Sequence, residues 1–180
     1  MNLLEVAKQE LIRSNADYRH PFNLMTLATI DGKTAYPQVR TVVMRHIDSL
    51  FSVLFYTDSR SPKVAQIEAN NLTSLMWYHP KRKLQVRMDC TAHIVEEESL
   101  LYKDHLLKVK QSKSVSDYTA SLAPGTELRG LEVEYRGEIH FSLIQLNPKN
   151  IEVLQLSSEA HQRALYIKVN GQWQENRLVP

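Results

Sequence analysis

Regular alternation of apolar and polar side chains is the clearest structural signal in the chain, and it is strongest over residues 83–95. The odd positions from 85 to 93 are polar, and the even positions are apolar: Leu84, Val86, Met88, Cys90, Ala92 and Ile94. Successive side chains of a strand point to opposite faces of a sheet. This segment is therefore predicted to be a strand with one face in the core.

Other runs rich in β-branched and aromatic residues also predict strands. They cover residues 23–30, 33–45, 50–57, 72–78, 136–146, 151–156, 164–169 and 172–178. Two-residue turn signals, Asp31-Gly32 and Asn170-Gly171, predict hairpins. Pro37 has no N–H to donate to a sheet, so the start of the second strand is predicted to lie at an edge or a bulge.

Helical periodicity predicts a few helices between the strands. Residues 3–12 carry apolar side chains at helical spacing, and Asn2 before them is a candidate N-cap. Residues 61–69 and 96–107 are also predicted helices, the second with acidic residues in its first turn. The polar segment 110–125 is predicted to be a short helix or a lid-like connection.

These elements predict a mainly β fold, an antiparallel β-barrel with peripheral helices. The helices are too few and too clustered for a doubly wound parallel sheet. At 180 residues the chain is long enough for one full core, and a single domain over residues 1–180 is expected.

Composition and charge exclude several classes of protein. No segment approaches the apolar length of a membrane-spanning helix, and the N-terminus lacks the regions of a secretory signal. The net charge of +2 gives no broad basic surface for nucleic acid. A single cysteine, Cys90, cannot form an internal disulfide and fits a reducing compartment. We therefore expect a soluble cytoplasmic protein without a nucleic-acid or membrane partner.

Common catalytic motifs are missing from the sequence. The seven histidines include no pair at helical metal-binding spacing, and Cys90 has no nearby partner, so no metal site is predicted. The five glycines form neither a dinucleotide-binding nor a phosphate-cradling loop. Ser61 lies in no nucleophile-elbow motif. The pattern therefore identifies no catalytic acid, base or nucleophile.

A candidate anion site lies between residues 40 and 63. Ser61, Pro62 and Lys63 form a predicted helix start, where free backbone N–H groups and the helix dipole favour a phosphate. Arg40 and Arg45 lie near the end of a predicted strand. Because they are five residues apart, a regular strand would point them to opposite faces. Both can serve one cleft only if the strand bends or its ends reach different sub-sites.

Five fragments of the chain, taken in order, resemble the FMN-binding part of the pyridoxamine 5'-phosphate oxidase family. They are Arg40 to Arg45, Phe55-Tyr56-Thr57, Ser61-Pro62-Lys63 with Gln66-Ile67, Gln85-Val86 with Met88, and His161-Gln162-Arg163 with Trp173 and the C-terminal Asn176 to Pro180. The middle of the chain has no matching fragment.

The resemblance implies a split β-barrel that forms a homodimer, with one FMN in each of two clefts between the subunits. It implies that the residues binding FMN are Arg40, Val43, Arg45, Tyr56, Thr57, Arg60, Ser61, Lys63, Gln85 and Arg163. It further implies that His161 and Tyr102 bind a small-molecule substrate.

Individual roles also follow from the resemblance. Arg40 and Lys63 would face the FMN phosphate, with hydroxyl groups of Ser61 and Thr57 beside them. Gln85 would bond the flavin ring edge, because an amide both donates and accepts. Arg163 would approach the ring, where a cation stabilises the reduced flavin. Arg45 stands where the oxidase has a lysine that meets the substrate phosphate.

Two departures from the family pattern affect the expected chemistry. Glu159 stands where the oxidase has an arginine that binds the substrate phosphate, and an acid there would repel a phosphorylated substrate. Pro62 stands where the family has a second phosphate-binding arginine, for which Arg60 is a candidate replacement. The resemblance therefore favours FMN binding over oxidation of vitamin B6 phosphates.

Several of these residues also have a purely structural interpretation that involves no ligand. Arg40 and Lys63 are compatible with ordinary surface cations. Gln85 is compatible with a solvated strand residue, and Arg163 with a surface ion pair to Glu159 or Glu152. A lone histidine such as His161 is more often structural or exposed to solvent.

The leading hypothesis is an FMN-dependent oxidoreductase that acts on a small organic substrate, and not the standard pyridoxamine phosphate reaction. One alternative is a non-catalytic barrel protein that binds flavin or haem. A second alternative is an enzyme of the same fold that uses a deazaflavin.

Overall fold

Eight antiparallel strands form one continuous sheet in the computed structural model, which describes residues 2–180. The strand order is β3-β2-β1-β4-β5-β6-β7-β8, and β3 also pairs with β6. That pairing closes six strands into a barrel, and β7 and β8 extend the sheet beyond it. The strands are β1 Leu24–Ile30, β2 Pro37–Ile47, β3 Val53–Thr57, β4 Leu72–His79, β5 Leu84–Ile94, β6 Ser142–Gln155, β7 Gln162–Val169 and β8 Gln172–Leu178.

Three α-helices and two short 3-10 helices lie around the barrel, as the predicted mainly β fold requires. The α-helices are α1 Leu3–Ser14, α2 Pro62–Ala69 and α3 Leu100–Lys110, and the 3-10 helices are Pro21–Asn23 and Lys113–Tyr118. The antiparallel barrel with peripheral helices is confirmed. Across residues 2–180, none of the helices combines the length and the apolar character that crossing a membrane would need.

Strand β6 connects the barrel to the rest of the sheet. Two separate strands were predicted at 136–146 and 151–156, but a single strand runs through both regions. Pro148 pairs with Cys90, next to a register shift between Asp89 and Cys90. The bulge at this shift lets the strand continue past the proline. The first part of β6 pairs with β3, and the last part pairs with β7.

The hairpin prediction holds at one turn and fails at the other. Asn170 and Gly171 both adopt positive φ and join β7 to β8, as predicted. Asp31-Gly32 is not a two-residue turn, because β2 begins only at Pro37. The Asp31 carboxylate accepts hydrogen bonds from the next backbone N–H groups and forms a longer loop.

Side chains that cap the first turn set where α1 and α3 begin. The Asn2 side chain accepts a hydrogen bond from Leu4 N, which confirms it as the N-cap of α1. Helix α3 was predicted to start at residue 96, but Ser99 caps it and the acidic residues 96–98 precede it. The segment after α3 contains a short 3-10 helix, which agrees with one of the two predictions for it.

Two apolar clusters hold these elements together. The larger one fills the barrel and contacts α1 and α2. The smaller one lies between the outer face of β3 and helix α3, and includes Leu54, Tyr102, Val109, Phe141 and Leu143. Helix α3 is therefore packed on the outside of the barrel, beside the strand that carries Tyr56 and Thr57.

Candidate functional site

Arg40 lies at one end of the barrel, where α2 covers the opening. It pairs with Leu27 across the sheet and shares the core-facing side of β2 with Val42 and Met44. Its guanidinium donates hydrogen bonds to Thr29 Oγ1 and, at 3.0 Å, to Gln66 Oε1. Both acceptors are neutral, so they orient Arg40 without compensating its charge.

Lys63 lies in the first turn of α2 at the same end of the barrel. Its Nζ donates to Thr57 Oγ1 at 2.9 Å, and Thr57 Oγ1 lies 3.0 Å from Ser61 Oγ. Ser61 occupies the N-cap position of α2, but its side chain makes no cap hydrogen bond. The hydroxyl is turned toward Thr57. Because Ser61 N donates to Asp58 O, Pro62 has no N–H and Val64 N donates to Ser61 O, the Lys63 N–H is the backbone donor that remains at this turn.

The electrostatics of this cluster are unusual, because two cations lie close together. Burial and the nearby Arg40 guanidinium lower the pKa of Lys63 below its ordinary value of 10.5, and the charge of Asp58 opposes the effect. Burial also lowers the pKa of Arg40. Among residues 2–180, neither side chain forms a salt bridge. A bound anion would relieve this repulsion, and a phosphate dianion suits such a donor set.

Arg60 is held apart from this cluster. Its guanidinium donates to both carboxylate oxygens of Asp58, with a shortest distance of 2.7 Å, and also to the Ala120 carbonyl. These bonds tie the start of α2 to the loop that follows Tyr118. A phosphate role for Arg60 would require it to leave Asp58, and that role stays a prediction.

Arg45 reaches a different sub-site, on the outer face of the barrel. The register of β2 against β3 shifts between Met44 and His46, so Arg45 is the extra residue of a bulge. Its guanidinium carbon lies 4.9 Å from the centre of the Tyr56 ring, within cation–π distance. The strand therefore bends, and its two arginines serve separate sub-sites, as the parity argument allowed.

A cavity of about 530 Å³ surrounds Arg45, between the outer face of the barrel and α3. Its lining combines several basic side chains with one acid and two hydroxyls: Arg45, His46, Asp104, His105, Lys108, Ser112 and Ser114. Tyr56 and Leu54 form the wall on the barrel side. This cavity can accept a small anion from solvent.

Tyr56 and His105 form a hydrogen-bonded pair in that cavity. The Tyr56 hydroxyl lies 2.6 Å from His105 Nδ1. Burial raises the pKa of Tyr56, although Arg45 opposes the effect. Burial, Lys108 and His46 lower the pKa of His105. Both groups are therefore neutral at pH 7, and the His105 tautomer sets which of them donates.

The remaining residues that the resemblance implied lie elsewhere. Tyr102 is buried, and its hydroxyl donates to the Phe141 carbonyl at 3.0 Å, so its direct neighbours are structural. His161 is exposed at a turn, where its Nδ1 accepts from Ser157 N. Glu159 lies in the same turn. Substrate binding by Tyr102 and His161 stays a prediction.

Gln85 and Arg163 lie in one row across three neighbouring strands. Gln85 pairs with Leu154, and Leu154 pairs with Arg163, so the three side chains share the outer face of the sheet. Arg163 donates two hydrogen bonds to the Glu152 carboxylate, the shorter at 2.9 Å. The sequence predicted an ion pair of Arg163 with Glu159 or Glu152 as the structural alternative, and the structure has the pair with Glu152.

Within one chain, the row that contains Gln85 is distant from the cation cluster. Strands β2 and β5 are separated by β1 and β4, which is three strand spacings or about 14 Å along the sheet. Val43 lies on the same outer face as Gln85, but on β2. Among the implied FMN-binding residues, Gln85 and Arg163 therefore do not meet the Arg40–Lys63 cluster inside one protomer.

Several residues of these sites were missed by sequence reasoning. Thr29 orients Arg40, but no local signal in the sequence indicates this role. His105 and Lys108 reach the cavity only because α3 packs on β3. No pattern in the sequence fixes that packing, since it depends on contacts between distant segments.

Comparison with known proteins places these observations in a family. Residues 5–96 match the family profile described as pyridoxamine 5'-phosphate oxidase, FMN-binding domain. A pyridoxine/pyridoxamine 5'-phosphate oxidase from Pseudomonas putida (strain GB-1) is 30% identical over 170 residues, which cover 88% of this chain and 78% of that protein.

Solved structures share the fold over nearly the whole chain. A pyridoxamine 5'-phosphate oxidase-related, FMN binding protein from Nostoc punctiforme has a TM-score of 0.79 at 21% identity, covering 100% of this chain and 98% of that one. PhzG from Burkholderia lata 383, solved in complex with tetrahydrophenazine-1-carboxylic acid, has a TM-score of 0.75 at 20% identity, with coverage of 98% and 92%. At these identities the likeness shows the split-barrel fold alone.

Proposed function

Because the chain belongs to the pyridoxamine 5'-phosphate oxidase family, with the FMN-binding domain of that family, we propose that it is an FMN-dependent oxidoreductase. Its substrate is a small organic molecule. FMN, when bound, supplies the redox chemistry by accepting and returning hydride equivalents. The protein supplies a phosphate anchor, contacts to the ring and a cavity for the substrate.

The observation that carries this proposal is the pair of cations Arg40 and Lys63, neither of which forms a salt bridge within residues 2–180. Two cations held close together favour a ligand with two negative charges, and the FMN phosphate has them near neutral pH. Thr57 accepts a hydrogen bond from Lys63 and lies within hydrogen-bond distance of Ser61, and the first turn of α2 adds the Lys63 backbone N–H. The donor set therefore fits the phosphate end of FMN.

A homodimer would complete the site by bringing Gln85 and Arg163 of one protomer to the Arg40–Lys63 cluster of the other. The outer face of β1, β2 and β4 carries exposed apolar side chains, which monomeric proteins rarely keep together. They are Leu24, Val39, Val43, Leu72 and Tyr78. This apolar face adjoins the row with Gln85 and Arg163. Pairing two copies through it would place these two residues over the phosphate site of the partner.

The cavity around Arg45 is the proposed substrate site. Arg45 and Lys108 attract an anionic group, and the Tyr56–His105 pair offers polar contacts. Glu159, in the turn beside His161, disfavours a second phosphate contact. We therefore propose an organic acid or a related small anion as substrate, with poor turnover of pyridoxamine phosphate.

The absorption spectrum and turnover of the purified protein test this proposal directly. We expect a yellow protein that bleaches with reductant, and weak or absent oxidation of pyridoxamine phosphate beside an authentic oxidase. A Soret band without flavin would instead indicate haem binding. A colourless protein that takes up deazaflavin but not FMN would indicate the deazaflavin alternative.

Removing the two cations should weaken FMN binding. The Arg40→Ala and Lys63→Ala double variant is expected to lose about 3 to 6 kcal/mol of binding free energy, because each substitution removes a charge-assisted contact to phosphate. The dissociation constant can be measured by quenching of flavin fluorescence.

The matched control is the Lys81→Ala and Lys103→Ala double variant, which removes the same number of charges from exposed positions. It should bind FMN as the wild type does. Equal FMN affinity of the wild type and both double variants would contradict the proposal that Arg40 and Lys63 bind the FMN phosphate.

Disrupting the apolar face should separate the subunits. Val39→Asp places a charge at a side chain that is 64% exposed in one protomer, so the monomer should fold normally. We expect light scattering to report a dimer for the wild type and a monomer with weakened FMN binding for the variant. Leu100→Asp, at an exposed position of α3, is the control and should stay dimeric. A wild-type monomer that binds FMN tightly would contradict the shared site.

A further inference from the structure

A buried cluster of ionisable side chains joins α1 to the barrel, away from the proposed flavin site. Glu10 of α1 lies with its carboxylate between two histidines, and all three side chains are buried. His20 Nε2 is 3.0 Å from Glu10 Oε2, and His79 Nε2 is 3.7 Å from the same oxygen. Arg82, in the turn after β4, reaches Glu10 Oε1 at 3.2 Å.

The backbone fixes where each imidazole carries its proton. His20 Nδ1 accepts a hydrogen bond from Phe22 N at 3.1 Å, and His79 Nδ1 accepts from Arg82 N at 3.3 Å. A ring nitrogen that accepts cannot carry a proton, so both neutral histidines are protonated at Nε2. Both Nε2–H groups point at the carboxylate of Glu10.

This arrangement has the wrong polarity for a metal centre. A metal bound at Nε2 needs the other nitrogen to carry a proton, which it normally donates to a carbonyl or carboxylate. Here Nδ1 of each ring faces an N–H donor. The Arg82 guanidinium also neutralises Glu10 already. The cluster is arranged to hold protons at defined positions.

We propose that this cluster is an acid-sensitive lock on helix α1. Adding a proton to His79 places an N–H at Nδ1, where it faces the N–H of Arg82. The backbone hydrogen bond must then break, and the ring must move within a buried site. Acidification therefore releases α1 from the β4–β5 turn before the barrel itself opens.

The charges around His79 act in the same direction. Burial lowers the pKa of His79, and His20 and Arg82 lower it further, while Glu10 and a backbone hydrogen bond of His79 oppose them. Since the folded value lies below the ordinary 6.5, the unfolded state binds more protons as the pH falls below 6.5. Stability from this contact is present at neutral pH and is lost on acidification.

Release of α1 would also change a second cavity, which lies at the other end of the helix. Asn2 and Leu3 line that cavity together with His161 and Arg163. Opening the lock removes one wall of the cavity and changes the surroundings of Arg163. The lock itself does not depend on flavin binding, so it can be tested in the protein without cofactor.

Hydrogen exchange of the full chain tests the order of opening. After correction for intrinsic exchange rates, protection of the α1 amides should fall by up to about tenfold for each pH unit below the ordinary histidine value. Amides of β5 and β6 should keep their protection over the same range. Equal loss in α1 and in the barrel strands would overturn the proposal.

An asparagine at position 79 tests whether the proton on His79 is responsible. In a His79→Asn variant, the side-chain oxygen can still accept the backbone N–H of Arg82 but does not titrate. We expect α1 protection in this variant to become independent of pH. His93→Asn, at an exposed position of β5, is the matched control and should keep the wild-type pH dependence.

Nitrogen NMR of the wild-type histidines provides a test that needs no variant. His20 and His79 should both show a protonated Nε2 and an unprotonated Nδ1 at neutral pH. The opposite tautomer would overturn the lock. Stoichiometric zinc that stabilises the wild type but not Glu10→Gln would also overturn it, in favour of a metal centre.

Discussion

The pairing of β3 with the first part of β6 closes the barrel, and the position of both candidate sub-sites depends on it. Successive residues of β3 point to opposite faces, so Thr57 faces the barrel end and Tyr56 faces α3. Thr57 then holds Lys63, and Tyr56 supports Arg45. One short strand therefore supports the proposed phosphate anchor on one face and the proposed substrate cavity on the other.

Repulsion between two neighbouring cations characterises the Arg40–Lys63 cluster. Two other basic side chains of the implied site are paired with acids, Arg60 with Asp58 and Arg163 with Glu152. Arg40 and Lys63 have neutral hydrogen-bond partners, and their mutual repulsion costs stability in the absence of a ligand. Such a cost is typical of a site that awaits an anion. The proposed acid-sensitive lock shows the opposite arrangement, with Glu10 held among three potential cations.

Local sequence patterns predicted most of the fold. The features that they missed depend on contacts between segments that are far apart in the sequence. Alternation identified β5, and Asn170-Gly171 identified the last turn, because both signals are local. Two strands were predicted at 136–146 and 151–156, but a bulge against β5 lets β6 run through both regions. In the site, Ser61-Pro62-Lys63 marked the start of α2 correctly. His105 and Thr29 could not be predicted, since packing alone brings them to the cavity and to Arg40.

The central claim is that Arg40 and Lys63 bind the phosphate of FMN. Comparing the affinities of the wild-type protein for FMN and for riboflavin, which lacks the phosphate, tests this claim most directly. We predict that FMN binds at least about a hundredfold more tightly, which corresponds to two charge-assisted contacts. Equal affinity for the two flavins would contradict the account, because the cation pair would then contribute nothing to cofactor binding.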